Sequence, residues 1–313
     1  MTVLTALIAA VALVQGPTPA AAPAPKPAIA QPGSSITMRF AGPQAERPVP
    51  FEVVKGVVVF KVKIGDREAT AILDNGAARS VLDQAYARAA GLEVGPPDGV
   101  AITQHGSAEK RRVSKVPLSI PGAFDVEIPA MPAIDMSGIS AALGRKVDFI
   151  FGADFFNITL VAIDASRQMM RIGPSGGVRL PPTIPFFALE GEPPHIEVLV
   201  NGKPVSVMVD LGSNNMLLLT PEAWTRVGRG INSGMTTRNL NIIDATKSIE
   251  VQTEILPQVK IGPIDADNVT ATVRPWSLSK GDGTIGFGLL QRYLVVIDAG
   301  QKRMWLARPS PRP

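Results

Sequence analysis

Cysteine is absent from the 313 residues, which excludes disulfides, thiolate catalysis and thiolate zinc sites. Histidine occurs twice, as His105 and His195. A histidine-rich metal centre is therefore excluded, and a serine–histidine triad would have to use one of these two. Aromatic residues make up 5% of the chain, with tyrosine only at Tyr86 and Tyr293, so valine, isoleucine and leucine are expected to fill the core. Charged residues are sparse at 19%, and the net charge is +4. The densest basic run, Lys110, Arg111 and Arg112, reads as a solvated loop rather than a nucleic-acid or membrane surface.

What is present points to a folded, β-rich chain. Hydrophobic content is 45%, and 29 glycines and 29 prolines separate many short apolar runs. The length suits two domains of about 150 residues. At the N-terminus, residues 3–14 form an uncharged apolar run, followed by Gly16, Pro17 and three alanines at 20–22. That run fits a signal peptide and is short for a membrane span, although no Lys or Arg precedes it. Pro- and Ala-rich sequence continues to Pro32 and reads as a semi-rigid linker. The expected organisation is a signal peptide and linker at 1–33, then lobes at 34–178 and 179–313. An exported protein is expected, periplasmic or secreted or held by its N-terminus.

The stretch AILDNGAARSV (71–81) contains Asn75 and Gly76, a strong two-residue hairpin signal. It also contains Asp74, at the end of an apolar run and the start of a glycine loop. The segment occurs twice. Residues 64–82 align without a gap on residues 200–218, which sets Asp74 on Asp210 and Gly76 on Gly212, an offset of 136 residues. A second block, 148–164, aligns on 282–298 at an offset of 134, which sets Asp148 on Asp282, Gly152 on Gly286 and Asp164 on Asp298. Upstream, Val49, Pro50 and Phe51 echo Ile184, Pro185 and Phe186. Two blocks in the same order at nearly one offset indicate an internal duplication.

Each repeat reads as a β-hairpin, an Asp-x-Gly loop, a further apolar strand and a short helix. The first hairpin turns at Gly65 and Asp66, the second at Asn201 and Gly202. The first helix spans 84–90 and ends at Gly91. The second starts with Thr220 as cap and Pro221 in the first turn. Residues 102–117 and 240–255 each read as strand, turn, strand, with turns at His105, Gly106 and Ser107 and at Asp244, Ala245 and Thr246.

These motifs resemble those of the retropepsin-like and pepsin-like aspartic proteases. In that family each of two lobes contributes an aspartate from an Asp-Thr/Ser-Gly loop, supported by a later apolar-apolar-Gly segment. Here the loops are Asp74, Asn75, Gly76, Ala77 and Asp210, Leu211, Gly212, Ser213. The supporting segments are Ile150, Phe151, Gly152 and Thr284, Ile285, Gly286. The resemblance implies an all-β bilobal fold of two pseudo-twofold-related barrel-like lobes. It implies hydrolysis of peptide bonds by a water activated between Asp74 and Asp210. It implies a polypeptide substrate, a monomer, and no metal, cofactor or nucleic acid. Flaps over the cleft fall at His105, Gly106 and Ser107 and at Asp244 and Ala245. Pepsin-like flaps carry a tyrosine and these do not, which places the chain on the retropepsin-like side.

Two carboxylates held close cannot both ionise cheaply, so they share one proton and can act as base and acid in one step. The departure from the family pattern is at Asn75 and Leu211, which replace the hydroxyl residue that ties the lobes together. Asn75 can supply a polar substitute and the Leu211 side chain cannot. Ser213 is placed to bond the outer oxygen of Asp210. A catalytically degenerate peptide-binding protein is the alternative these replacements leave open. Asp148, Asp282, Asp164 and Asp298 read as turn residues. The GxGxxG at 281–286 follows no apolar strand and the GxSxG at 173–177 precedes no helix, so both read as coincidences.

Overall fold

A computed structural model of the chain describes residues 37–41, 47–103, 106–178, 186–228, 236–241, 248–273 and 280–309. The first lobe runs β1 (Thr37–Phe40), β2 (Val49–Val54), β3 (Val57–Ile64), β4 (Arg67–Leu73), β5 (Val81–Asp83), α1 (Gln84–Ala89), β6 (Val94–Thr103), β7 (Gly106–Ile120), β8 (Phe124–Ile134), α2 (Ser137–Leu143), β9 (Phe149–Phe151), α3 (Ala153–Phe156), β10 (Thr159–Asp164) and β11 (Met169–Pro174). The second runs β12 (Phe187–Ala188), β13 (His195–Val200), β14 (Lys203–Asp210), β15 (Leu217–Leu219), α4 (Pro221–Arg226), β16 (Thr236–Asn241), β17 (Ser248–Ile261), β18 (Ile264–Val273), β19 (Gly283–Gly286), α5 (Phe287–Leu290), β20 (Leu294–Asp298) and β21 (Arg303–Ala307).

Both expected hairpins form where the turn chemistry places them. Ile64 pairs with Arg67 across Gly65 and Asp66, and Val200 pairs with Lys203 across Asn201 and Gly202. Asn201 and Gly202 have φ of 51° and 74°, the two positive values that a type I′ turn requires. Asn75 and Gly76 are not among the positive-φ residues, and no hairpin turns there. The helix after each loop is capped as read. Asp83 accepts from the Tyr86 amide at 2.8 Å, and the Thr220 hydroxyl accepts from the Ala223 amide at 3.1 Å.

Each lobe closes on itself. In the first, β3, β4, β9, β5, β8 and β7 form a ring, sealed where Lys63 and Ile64 of β3 pair with Ser119 and Leu118 of β7. In the second, β13, β14, β19, β15, β18 and β17 repeat the ring, sealed where Leu199 and Val200 pair with Lys260 and Val259. A further sheet, ordered β12, β21, β20, β10, β11 and β2, joins the lobes. Its central pair, β10 and β20, is antiparallel, with Ala162 opposite Val296. Those two residues are also partners in the duplication at offset 134, so the pseudo-twofold axis passes through their pairing.

The strands that lead into the two aspartates are covered on both faces. In β4 the last five residues are all buried, and so are the last four of β14. This continuous burial is the pattern of a strand walled on both sides rather than of one facing water. On one face of β3, β4 and β9, Phe60, Leu73, Phe149 and Phe151 join the main core, and on the other Val59, Ile72 and Ile150 form a separate apolar cluster.

One expectation holds with a local exception, and one needs correction. The first-lobe core is chiefly aliphatic, as expected, and within it Phe60, Phe124, Phe149, Phe151, Phe155 and Phe156 pack together, with Phe151 and Phe155 centroids 4.7 Å apart. A low whole-chain aromatic fraction hid their concentration in one lobe. The echo of 49–51 in 184–186 is out of register. Val49 and Pro50 pair with Met170 and Met169, and the matching partners of Met304 and Arg303 are Phe187 and Ala188. Phe186 is 50% exposed where Phe51 is 4% exposed. Ile184 and Pro185 lie outside the described residues.

Candidate active site

The two loops that follow β4 and β14 are built by the same set of bonds. Asp148 accepts from the Thr70 amide at 2.8 Å, and Asp282 accepts from the Ser206 amide at 2.9 Å. Each thereby clasps the strand that carries the loop, which gives these two turn residues a structural task. The amide of Asp74 donates to Phe151 O at 3.0 Å, and Asp210 pairs with Gly286 in the parallel ladder of β14 and β19. The Ala153 amide donates to Ala77 O at 2.8 Å, and its repeat partner Phe287 donates to Ser213 O at 2.7 Å. Gly152 and Gly286 are glycines because a Cβ would enter the loop backbone, at Arg79 and Ser80 in one lobe and at Ser213 and Asn215 in the other.

The carboxylates meet at the pseudo-twofold axis. Asp74 Oδ1 accepts from the Gly76 and Ala77 amides, both at 3.0 Å, and Asp210 Oδ1 accepts from the Gly212 amide at 2.9 Å. Each carboxylate also lies against the glycine of the opposite loop. A Cβ on Gly76 would stand 2.9 Å from Asp210 Cγ, and one on Gly212 would stand 2.5 Å from Asp74 Cγ. Neither glycine has a positive φ, so close approach, not backbone freedom, is what these positions require. Asp210 is 5% exposed, and its pKa is raised to about 7. Burial is the larger cause and the neighbouring Asp74 the second, while the Gly212 and Ser213 amides pull the other way.

Asn75 takes over the cross-lobe tie. Its Nδ2 donates to Val209 O at 2.7 Å and its Oδ1 accepts from the Leu211 amide at 2.7 Å. The side chain is 2% exposed and brackets Asp210 through the residues on either side of it. One amide carries both a donor and an acceptor, so a single residue of the first lobe grips both flanks of the second-lobe aspartate. Leu211 is fully buried in the apolar core and contributes only its backbone to this grip. Ser213 differs from its expected role: its hydroxyl accepts from Asn215, at 3.4 Å from N and 3.5 Å from Nδ2, and its help to Asp210 comes from its own amide.

The expected flap is the hairpin of β6 and β7. Its turn sits earlier in the sequence than read: Thr103 pairs with Gly106 and Ile102 with Ser107, so Gly106 and Ser107 open β7. His105 lies outside the described residues, as do Asp244 and Ala245, between β16 and β17. Ala101 and Ala108 of the first hairpin pack on the apolar cluster that also takes Ala77 of the Asp74 loop.

Sequence reading passed over Ser80 and Asp154. The Ser80 hydroxyl donates to Asp154 Oδ1 at 2.6 Å and accepts from the Gly152 amide at 2.9 Å, which braces the first loop from beneath. The available signal was position alone: Ser80 closes the repeated loop and Asp154 follows the supporting glycine by two residues. His195 opens β13, with its Nδ1 2.7 Å from Pro193 O. Gly281, Gly283 and Gly286 pack against His195, Leu218, Ser213 and Asn215 of the chain itself, in keeping with a chance GxGxxG. Ser175 of the GxSxG donates to Asp298 Oδ1 at 2.6 Å. Among the described residues no three His, Asp or Glu side chains gather as a metal site.

A family model described as "Aspartyl protease" matches residues 60–155 and again 196–290, once in each lobe and together over more than half of the chain. Among solved structures, a retropepsin-like aspartic protease from Rickettsia conorii is similar at 22% identity over 39% of this chain and 88% of its own, with a TM-score of 0.33. No curated protein matches the chain.

Proposed function

This chain belongs to the aspartyl protease family, and from that premise we propose that it is an endopeptidase in which Asp74 and Asp210 activate one water between them. The observation that carries the reading is the pair itself: two carboxylates, each against the other's loop, with the pKa of buried Asp210 raised to about 7. Just below that pH the pair holds one proton. The ionised member takes a proton from water as it attacks the scissile carbonyl, and the protonated member donates to the carbonyl oxygen. The pair titrates as a unit, so the two roles are not assigned to separate residues in advance. The substrate is an extended polypeptide lying between the loops and the β6–β7 hairpin, its backbone pairing with the hairpin edge. The N-terminal apolar run supports an exported enzyme acting outside the cytoplasm.

Leu211 favours a second reading, in which the protein binds extended peptides without cutting them. The bonds of Asn75 to both sides of Asp210 weigh against it, because they supply the rigidity that acid–base geometry requires. Purified protein incubated with unfolded casein at mildly acidic pH tests the matter. Cleavage that disappears in Asp74→Asn and in Asp210→Asn supports the endopeptidase, whereas peptide binding with no turnover at any pH supports the second reading.

A further inference from the structure

The two active-site loops carry one charged side chain besides their aspartates. Asp74 is followed by Asn75, Gly76, Ala77, Ala78, Arg79 and Ser80; Asp210 is followed by Leu211, Gly212, Ser213, Asn214, Asn215 and Met216. Arg79 is exposed, and its guanidinium makes no ion pair or hydrogen bond among the described residues.

The backbone beneath Arg79 is fixed. It presses on Gly152, which has no room for a Cβ there. Ser80, next in the chain, is buried and held to Asp154 Oδ1 by its hydroxyl at 2.6 Å and its amide at 2.9 Å. Asp154 is the carboxylate near Arg79, but its Oδ1 is already engaged by Ser80 and by the Phe155 amide at 3.0 Å. Burial raises its pKa, the Ser80 and Phe155 bonds oppose that rise, and the Arg79 charge adds a smaller pull in the same direction as those bonds. The cation thus stands on a rigid loop, five residues along the chain from Asp74.

The duplication supplies an internal comparison. At the repeat offsets, Arg79 falls on Asn215 and Asp154 on Gly288, both uncharged. A peptide has a direction and a pseudo-twofold cleft has almost none, so a charge on one side only breaks the tie. We propose that Arg79 is a specificity-determining residue that takes an acidic substrate side chain on the first-lobe side of the dyad. This rests on the endopeptidase reading.

Arg79 offers a planar fork suited to a carboxylate, and an exposed pair of this kind changes binding by about two- to fivefold. The test is a set of neutral extended peptides in which one glutamate, or one glutamine as control, is moved through every position. Binding is measured by fluorescence anisotropy to the Asp74→Asn variant, with and without Arg79→Ala or Arg79→Glu, so turnover is not needed. The expected result is one position at which glutamate is preferred to glutamine by about two- to fivefold. That preference vanishes in Arg79→Ala, turns into a penalty in Arg79→Glu, and shrinks at high salt. Equal binding of the two peptide series, or a preference unmoved by Arg79→Glu, overturns the proposal while leaving the endopeptidase reading intact. If no peptide binds any variant, the proposal fails, and the endopeptidase reading is judged separately by cleavage of casein.

Discussion

Replacing Asp210 by Asn should change how stability depends on pH, in a sense opposite to that of most carboxylates. An aspartate in a salt bridge has a lowered pKa and stabilises the fold as pH rises. Asp210 is raised from 3.8 to about 7, by burial first and by Asp74 second. The folded state therefore holds this proton more tightly than the unfolded chain. The resulting stability is fully present below the unfolded value of 3.8 and is lost as pH rises through about 7. Three units at 1.36 kcal/mol each correspond to about 4 kcal/mol in total. Of this, about 3 kcal/mol falls between roughly pH 5 and pH 9, since part of the loss has already occurred by pH 5. Asparagine keeps the size of the side chain and cannot ionise. Urea unfolding of both proteins across that window should show the wild type losing about 3 kcal/mol relative to the variant, which makes Asp210→Asn the more stable protein at alkaline pH. Thermal unfolding should show the same order, with a relative shift of about 6–12 °C. Parallel pH profiles for the two proteins, or a wild type that gains on the variant as pH rises, would refute the account of a buried proton shared with Asp74.

Asn75→Ala removes two 2.7 Å bonds and leaves Val209 O and the Leu211 amide buried without those partners. A loss of about 2–5 kcal/mol in urea unfolding is expected, with a lower kcat in whatever fraction stays folded, and a loss below about 0.5 kcal/mol would show that the tie is dispensable. Gly212→Ala sets a methyl 2.5 Å from Asp74 Cγ and should lower kcat by at least about a hundredfold while the circular dichroism spectrum is kept; near-normal turnover would contradict the close approach of the loops. The rate profile of the wild type should fall on its alkaline side near pH 7 as the shared proton is lost, and a profile still rising through about pH 9 would remove the carboxyl as the acid.

The duplication made much of this arrangement legible. Asp74 and Asp210 are matched by one ungapped offset, and the second block had already paired Ala162 with Val296, the two residues that face each other at the axis. Those features follow from chain order, which a sequence displays. The cross-lobe grip was legible only in part. Asn75 could be seen as a polar substitute, but that its one amide would reach both Val209 and Leu211 depends on how far the second lobe is rotated onto the first. Ser80 and Asp154 were missed for a similar reason, because they meet only once β9 lies between β4 and β5 and brings residues 74 positions apart together. The Val-Pro-Phe echo misled because three residues are too few to fix a register. The ladders of β2 with β11 and β12 with β21 fix it instead.

The most direct test of the central claim is the cleavage of unfolded casein by the purified protein, set beside Asp74→Asn and Asp210→Asn and followed by the appearance of new N-termini. The account predicts cleavage by the wild type at mildly acidic pH and none above background in either variant. Undiminished cleavage by either variant would contradict it.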